Sequence, residues 1–568
     1  MADPLAPPAP RWSRAWARPV WAHLVALAAG LLLLVPVVGT SNSFIADEGA
    51  AIIQARSLAN GEGWIVEHPL PEVDPEGRWY PVVNAERGTK GFAPLGKHPL
   101  YPALAAAAAR VGGVAGMVVL SLLGTVAAAG LAAALARRID KALTRPTLWV
   151  VGLASPLLFD GFLVMGHTLG AALATAAVLA AVVAVHDRRP LVALLVAPAV
   201  GGAVLLRNEA LVFAIALVLV SGFLALRRAY RAPAGLVAAA TLAGAVAARL
   251  LDRLWVARVT GGAVQATAVG VPAAEDGFIE GRVDGFLTTW LTPSYGDLDL
   301  GALALLVMLA AIVWCALRVR SHPEGRAAIL GSAGVAAGAA AVALAADPGN
   351  VVPGLLLAFP AATAGMLVMR RRLFNDAVAA MVVGATTALF ALAVIATQYA
   401  VGGSGEWGGR YFALLVPAAV PLLLRALRAQ RRSLAADVRR GVAVALVVCS
   451  AALSVMAVGA LRANHRAGAD VVDRVEAAGR LTGDPRPVVV TDWIAGARLA
   501  WPTFDAHRWL YVTKGRVAEA VDRLGAAGVD RFVLVSNDVA VLQDRLEGLT
   551  VVASDVPPSG RQILVLER

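Results

Sequence analysis

The feature that constrains this chain most is a succession of apolar runs, each close to the length of a membrane span. A helix needs about 20 apolar residues to cross the roughly 30 Å hydrocarbon core of a bilayer. Such runs recur at 20–39, 112–136, 146–163, 167–185, 190–206, 210–226, 234–251, 300–317, 327–346, 351–369, 376–399, 411–427 and 441–461. The sequence therefore predicts an all-α polytopic membrane protein with about 13 transmembrane helices.

The composition supports this fold class and argues against a nucleic-acid partner. The chain has 568 residues, of which 58% are hydrophobic and 16% charged, whereas a soluble domain is about half apolar and a quarter charged. The net charge of +11 comes mainly from short arginine tracts between the apolar runs, which is typical of residues that set membrane topology. The two cysteines, Cys315 and Cys449, lie inside apolar runs and provide neither a disulfide framework nor metal-ligand spacing.

The short loops predict the orientation in the plasma membrane. Every second loop is basic, as at 137–145, 227–231 and 370–372. The positive-inside rule then places the N-terminus in the cytoplasm. The long segments 40–111, 252–299 and 462–568 are expected outside. We predict a transmembrane module at 1–461 and an extracytoplasmic domain at 462–568.

The predicted C-terminal domain has the pattern of a small α/β fold. The helix is predicted at 516–527, where apolar residues fall on one face. The short apolar runs typical of buried strands are Val488–Thr491, Trp509–Val512, Arg531–Ser536, Val551–Ala553 and Ile563–Leu566. A glycine-rich phosphate motif is absent from this sequence, so nucleotide binding has no support.

An acidic pair, Asp47 and Glu48, follows the first apolar run. Apolar residues between Ala51 and Ala59 fall at helical spacing, so the segment is expected to lie along the membrane surface with the acids at its start. A carboxylate there suits a general base that acts on an aqueous acceptor and a lipid-borne donor. The alternative is that Asp47 caps the helix. Arg56, on the same helix, is predicted to line a substrate cavity.

Cationic residues are predicted near the same surface. Lys97 and His98 can donate to a phosphate at the interface, or Lys97 can reach lipid headgroups while His98 is part of a polar loop. Arg207 and Glu209 interrupt an apolar stretch, where ionisable groups cost roughly 2.5–3.5 kcal/mol on insertion scales and usually pair or line a cavity. Their closeness in sequence disfavours a direct pair, so each is expected to face the outer cavity, or else to mark a polar turn.

Two further groups complete the predicted outer site. His167 begins an apolar run on that side, where a lone histidine is more often structural than catalytic. Arg410 lies among glycines and can bind a phosphate with both arms of its guanidinium. Trp407 and Tyr411, beside it, are typical of an interfacial aromatic belt and are predicted to line the cavity.

Three short motifs resemble the GT-C superfamily of membrane glycosyltransferases, close to the protein mannosyltransferase and aminoarabinose transferase type. They are Ala-Asp-Glu-Gly at 46–49, His-Pro-Leu-Tyr-Pro at 98–102 and Trp-Gly-Gly-Arg-Tyr at 407–411. The resemblance implies a polyprenyl-phosphate sugar donor and an acceptor on the outer face. It assigns the base to Asp47, with Glu48 supporting or replacing it. Lys97 and Arg410 would hold the donor phosphate, with His98 and Arg207 as further candidates.

The resemblance thus predicts an enzyme that transfers a hexosyl or pentosyl group to a cell-envelope glycan, lipid or protein, with inversion as the family expectation. A divalent metal assists some relatives, but no dedicated ligand cluster is evident in the sequence. Two alternatives stay open. A transporter or lipid flippase usually shows internal repeats, which we do not find here. A non-catalytic cell-envelope assembly protein would tolerate loss of Asp47. The C-terminal domain is expected to dock the acceptor.

Overall fold

A computed structural model describes residues 18–83, 85–95, 98–262, 265–266, 278–291, 299–346, 352–375, 377–397, 406–539, 542, 546, 548–556 and 561–568. The described chain is a helical bundle that carries a five-stranded sheet near its C-terminus. The described residues of the first half form nine α-helices, which are α1 (Val20–Val38), α2 (Ala46–Asn60), α3 (Leu100–Ile139), α4 (Thr144–Leu153), α5 (Leu157–Asp160), α6 (His167–His186), α7 (Val196–Leu206), α8 (Glu209–Ala225) and α9 (Arg231–Thr260).

Eleven more α-helices follow among the described residues. They are α10 (Phe278–Phe286), α11 (Leu300–Ser321), α12 (Arg326–Ala345), α13 (Leu355–Ala358), α14 (Pro360–Leu367), α15 (Arg372–Asn375), α16 (Val378–Thr397), α17 (Val416–Arg431), α18 (Ala436–Leu481), α19 (Gly496–Leu499) and α20 (Val517–Ala526). Eight helices of the described chain are long and apolar enough to cross a membrane, namely α1, α3, α6, α9, α11, α12, α16 and α18. These helices indicate a multi-pass membrane protein.

The other five predicted spans have shorter or broken helices. Predicted spans 190–206 and 210–226 contain the shorter apolar helices α7 and α8. Span 146–163 is divided into α4 and α5, and span 351–369 into α13 and α14. Span 411–427 begins in a 3-10 turn at Arg410–Phe412 before α17. The polytopic helical fold is confirmed, while the number of thirteen spans stays a prediction.

Small residues bring the bundle helices close together. Gly124 of α3 faces Thr168 of α6, and a Cβ on Gly124 would lie 2.5 Å from the Thr168 Oγ1. That hydroxyl donates to the backbone oxygen of Ser121 at 2.6 Å. Glycine, alanine and hydroxyl side chains of this kind drive helix association in membranes, where the lipid is as apolar as the side chains. The abundance of alanine in the sequence is therefore a packing feature.

The two ends of the bundle differ in chemistry. At one end, Arg138 pairs with Asp187 at 3.1 Å, and Arg428 pairs with Asp140 at 2.5 Å. We call this the basic end. The opposite end, where Asp47 lies in the first turn of α2, is called the site end. Because α3 and α6 both run from the site end to the basic end, residues far apart in sequence meet at each end.

The C-terminal sheet confirms the predicted strands. It contains β4 (Val488–Thr491), β5 (Arg508–Tyr511), β6 (Arg531–Ser536), β7 (Thr550–Asp555) and β8 (Gln562–Glu567), while three short strands, β1 (Glu86–Gly88), β2 (Gly91–Ala93) and β3 (Gln265–Ala266), form a separate sheet. The large sheet has the order β5-β4-β6-β8-β7. β4 is parallel to β5 and β6, whereas β8 is antiparallel to β6 and β7. Helix α20 coincides with the amphipathic helix predicted at 516–527.

The first predicted outer loop is part of the same folded body as this sheet. Leu70, Val73 and Trp79 are buried in one core with α20 and strands of the sheet. The backbone N–H of Tyr511 donates to the carbonyl of Trp79 at 3.0 Å. On the other face, Val475 of α18 packs against the sheet. Because α18 is continuous from 436 to 481, it passes through the predicted boundary at 461 and ties the sheet to the bundle.

Helix α2 lies between the bundle and the sheet domain and is buried on most of its surface. The sequence predicted this helix correctly. It is amphipathic only in a weak sense, since buried residues occur on all of its faces. The backbones of α2 and α19 touch at Gly49, where an added Cβ would lie 1.8 Å from the Arg498 carbonyl oxygen. This glycine permits the close approach on which the site depends.

We predict that Gly49→Ala separates α2 from α19. Overpacking of this kind costs about 1–3 kcal/mol, so the variant should melt several degrees lower in detergent and be cut faster by protease between α18 and β4. Gly30→Ala in α1 is the matched control because open space surrounds that position. Equal melting temperatures for the two variants would contradict the close contact.

Candidate functional site

Asp47 lies in the first turn of α2 at the site end. The N-cap position is Ile45, so Asp47 is not the capping residue that was one alternative from the sequence. The positive end of a helix dipole favours a carboxylate in its first turn. The side chain is 34% exposed and approaches two guanidiniums, with Nη1 of Arg410 at 3.5 Å and Nη1 of Arg498 at 3.4 Å. Asp47 is thus a positioned carboxylate that water can reach.

Glu48, its neighbour, has a different environment. Its side chain is buried, and its two oxygens accept hydrogen bonds of 2.6 Å from the backbone N–H groups of Phe44 and Val164. Burial raises the pKa of Glu48 to about 7, and these backbone hydrogen bonds oppose the shift only in part. The carboxyl group thereby ties the start of α2 to the segment before α6. The structure separates Glu48 from the cavity that Asp47 lines.

Arg410 is positioned by a glycine turn. Gly408 and Gly409 have positive φ angles of 76° and 68°, a conformation that glycine adopts without steric cost. A Cβ on Gly409 would also lie 2.6 Å from the Thr289 carbonyl oxygen. Nη1 of Arg410 then donates to Oε1 of Glu406 at 3.1 Å. The glycines before this arginine therefore allow the chain to turn where the neighbouring backbone leaves no room for a Cβ.

Arg207 lies at the break between α7 and α8, where its backbone is extended. Its Nη2 donates to Oε1 of Glu209 at 2.6 Å, and its Nη1 donates to Nε2 of His167 at 2.5 Å. The expectation that Arg207 and Glu209 are too close in sequence to pair is wrong. The extended backbone at Arg207 turns its side chain back over the first turn of α8, which brings the two charges together.

These groups surround a cavity of about 350 Å³ at the site end. Its charged and polar walls come from Asp47, His98, Arg207, Glu209 and Arg410, together with Asn208, Thr397, Tyr101 and Tyr411. Its apolar wall comes from α7, α8 and α16, through residues such as Leu206, Val212 and Val394. The cavity therefore combines a cationic patch with a surface that suits hydrocarbon.

His98 lines the cavity and has an unusual backbone conformation. Its φ angle of 59° lies in the left-handed region, which costs a non-glycine residue on the order of 1–3 kcal/mol and often marks functional sites. The imidazole lies directly before α3, beside Tyr101 of that helix. Lys97, the other cation predicted in this segment, lies outside the described residues. Its role stays a prediction.

Of the other predicted cavity residues, Arg56 and Trp407 lie behind or beside the cavity, whereas Tyr411 lines it. Arg56 contacts Asp505 at 2.8 Å and stacks over Trp501 at 5.4 Å, so it joins α2 to the sheet domain. Trp407 is buried and stacks on Phe159 with ring centroids 5.8 Å apart. Tyr411 lines the cavity and lies 5.2 Å from the Arg410 guanidinium.

The structure adds two residues that sequence reasoning missed. Arg498 comes from α19 of the sheet domain and is 5% exposed, yet it reaches Asp47 across 451 residues of sequence. No local pattern signals such a contact. Glu406 holds Arg410 and precedes it by four residues; its place directly before the motif at 407–411 was the available signal.

Three buried groups, Asp160, His167 and Glu406, have ligand-type atoms within 4.8 Å of one another. Neither carboxylate oxygen of Asp160 has a hydrogen-bond partner among the described residues. A guanidinium can only donate, so the contact from Arg207 requires Nε2 of His167 to be the acceptor. The neutral ring then carries its proton on Nδ1, which lies 3.3 Å from Oε2 of Glu406. As arranged, the trio offers two carboxylates and an N–H, which does not fit a three-ligand metal site.

Comparisons with known proteins show which solved structures have a similar fold. No protein-family model and no curated protein matches this sequence. ArnT from Cupriavidus metallidurans in the apo state is similar over 98% of both chains, with 13% identity and a TM-score of 0.52. The Archaeoglobus fulgidus oligosaccharyltransferase in complex with Zn and sulfate is similar over 91% of this chain and 68% of its own, with 16% identity and a TM-score of 0.50. The chain shares the fold of these two proteins, which confirms the predicted fold class.

The environment of Glu48 predicts a pH dependence of stability. Because its pKa is raised from 4.5 to about 7, the folded state binds a proton that the unfolded state lacks between these values. The contribution of Glu48 to the free energy of unfolding therefore falls as pH rises through that range. Glu48→Gln removes the titration and also places an NH2 against a backbone donor, which costs about 1–3 kcal/mol.

We expect Glu48→Gln to melt below the wild type at pH 5 and to lose part of the decline in melting temperature between pH 5 and pH 8. Asp47→Asn is the control, since its side chain does not receive these backbone bonds, and it should keep the wild-type slope. An unchanged slope in Glu48→Gln would show that this carboxyl does not titrate in that range.

The tautomer of His167 predicts that the trio holds no tightly bound metal. Protein purified without chelator should contain well below one equivalent of zinc or manganese by elemental analysis. Asp160→Asn should not change that content. One equivalent of metal in the wild type that disappears in Asp160→Asn would overturn this assignment and require Arg207 to release His167.

Proposed function

We propose that this chain is a GT-C-type glycosyltransferase that moves a sugar from a polyprenyl-phosphate donor to an acceptor at the extracytoplasmic face. The observation that carries the proposal is the position of Asp47, a partly exposed carboxylate between two arginines at a cavity with cationic and apolar walls. A lipid-linked sugar needs both walls, because its phosphate and sugar are polar while its chain belongs in the bilayer.

The distribution of charge supports the proposed side of the membrane. Each group that lines the cavity comes from the outer end of a predicted span or from a predicted outer segment. The basic loops lie at the opposite end, where Arg138 and Arg428 form their ion pairs. Cytoplasmic loops carry the excess of arginine and lysine in membrane proteins. This supports an extracytoplasmic site, which nucleotide sugars made in the cytoplasm do not reach and a lipid-linked donor does.

In the proposed reaction, Asp47 accepts the proton of an acceptor hydroxyl as that oxygen attacks the anomeric carbon of the sugar. The bond between the anomeric carbon and the phosphate oxygen breaks, and its electron pair leaves with the lipid phosphate. A positioned general base of this kind contributes typically 10²–10⁴-fold to the rate. The products are a glycoside and a polyprenyl phosphate that carries one more negative charge.

Arg410 and Arg207 are placed to stabilise that charge. A guanidinium has five N–H donors, and the ion pairs with Glu406 and Glu209 use only some of them. The Nε of Arg410 is buried and has no hydrogen-bond partner among the described residues. Because carboxylates already fix both arginines, binding a phosphate requires little reorganisation, which is the condition for strong electrostatic stabilisation. His98 supplies a further donor at the cavity wall.

Donor binding would also free the base. Arg410 lies 3.5 Å from Asp47, and a phosphate beside Arg410 would compete for the same N–H groups. Arg498, on the far side of Asp47, would keep the carboxylate in place. We propose that 462–568 forms an extracytoplasmic domain that docks the acceptor and contributes this arginine, while 1–461 forms the transferase module. Glu48 would act by positioning α2.

The first test is Asp47→Asn in purified protein given labelled polyprenyl-phosphate sugar and cell-envelope acceptors. Loss of the base should lower the rate of glycoside formation by about 10²–10⁴-fold, with donor affinity largely retained. Asp505→Asn is the matched control, because Asp505 is 61% exposed and contacts Arg56 at the edge of α2. Normal transfer by Asp47→Asn would exclude it as the base. Movement of the carrier by wild type without release of lipid phosphate would favour a flippase.

The second test separates arginines that line the cavity from one that does not. Arg410→Gln should raise the donor KM at least tenfold and lower kcat, because a charged hydrogen bond to phosphate is worth about 1.5–3 kcal/mol. Arg56→Gln should leave the donor KM within twofold, since Arg56 contacts Asp505 instead of the cavity. Equal effects from the two substitutions would remove Arg410 from the donor site.

A further inference from the structure

A second cavity lies inside the bundle, apart from the candidate site. Its volume is about 1180 Å³, and it shares no lining residue with the cavity at Asp47. Its walls come from α4, α11, α12, α14, α17 and α18, and they are almost entirely apolar. The proposed sugar transfer makes no use of this cavity.

The cavity is long in the direction of α18. Its lining residues recur along α18 from Arg439 to Val458. At 1.5 Å per residue these positions are about 29 Å apart, which is close to the roughly 30 Å thickness of a hydrocarbon core. Exposed apolar side chains such as Val447 and Val455 lie along it, so it opens to lipid. A groove of this shape suits an extended hydrocarbon chain.

The groove ends in arginines at the basic end. Arg428, Arg431, Arg432 and Arg439 all line it. Arg428 is neutralised by Asp140 at 2.5 Å. For the other three, no ion pair is found within the part of the chain that the structure describes. Charge of one sign at the mouth of an apolar groove selects a ligand with an anionic head and a hydrocarbon tail.

We propose that this groove binds an anionic phospholipid, with its phosphate at Arg431, Arg432 and Arg439 and an acyl chain along α18. Basic pockets between transmembrane helices are known to bind anionic headgroups, and arginine favours phosphate through its planar fork of donors. The donor of the proposed transfer does not fit the same groove in a productive pose. Its phosphate would lie at the basic end, about the thickness of the hydrocarbon core away from Asp47.

The test measures melting temperature in mild detergent with added phosphatidylglycerol or phosphatidylcholine, and retained lipid by native mass spectrometry. Phosphatidylglycerol should raise the melting temperature of the wild type and phosphatidylcholine should not. The triple variant Arg431→Gln, Arg432→Gln, Arg439→Gln should bind phosphatidylglycerol at least tenfold more weakly. It should keep its transfer activity, since none of the three lines the site cavity.

The matched control is Arg227→Gln, Arg228→Gln, Arg231→Gln, which removes three arginines from the same end of the bundle but not from this groove. It should keep the wild-type response. Equal loss in both triple variants would mean that arginines of this end attract anionic lipid without a site. A shift produced by polyprenyl phosphate but not by phosphatidylglycerol, and abolished in the first triple variant, would assign the groove to the carrier lipid. Either result overturns the proposal.

Discussion

The arrangement of the site depends on one carboxylate held between two arginines from distant parts of the chain. Asp47 begins the helix after the first span, Arg410 follows a turn before α17, and Arg498 belongs to the sheet domain. Two guanidiniums within 3.5 Å hold this carboxylate in one orientation, which the proposed general base requires. Any movement of the sheet domain against the bundle therefore changes the surroundings of Asp47. The membrane and soluble parts form one site.

A different structural feature holds each residue of this cluster in place. The backbone of α2 contacts that of α19 because position 49 has no side chain, and Arg498 is carried into place by that contact. Two glycines with positive φ turn the chain into Arg410. Glu406 and Glu209 neutralise the partly buried arginines Arg410 and Arg207, which would otherwise be costly in a low-dielectric environment. Glu48 anchors α2 by accepting two backbone hydrogen bonds.

Local patterns in the sequence were sufficient for the elements and insufficient for their contacts. The strand at 488–491 and the helix at 517–526 were predictable because apolar periodicity follows burial directly. Most long spans were predictable for the same reason. The pairing of Arg207 with Glu209 depended on an extended residue between two helices, which periodicity does not reveal. The position of Arg498 depended on a tertiary contact between α2 and the sheet domain, and no spacing rule covers that.

The same limits apply to the roles that the sequence predicts for residues on one helix. Asp47 and Glu48 are adjacent and chemically alike, so the sequence left their roles interchangeable. The structure distinguishes them because successive helix residues face directions about 100° apart, which points Asp47 at the arginines and Glu48 into the backbone of the segment before α6. Arg56 was predicted at the cavity from its place on α2, yet its side chain reaches the sheet domain. In both cases the direction in which the side chain leaves the helix determines what the residue contacts.

The most direct test of the account is a structure of the protein with a polyprenyl-phosphate sugar bound, determined by electron cryo-microscopy. We expect the phosphate between Arg207 and Arg410, the hydrocarbon chain along α7, α8 and α16, and the anomeric carbon within reach of an acceptor hydroxyl at Asp47. A donor phosphate bound away from both arginines, for example at the basic end, would contradict it.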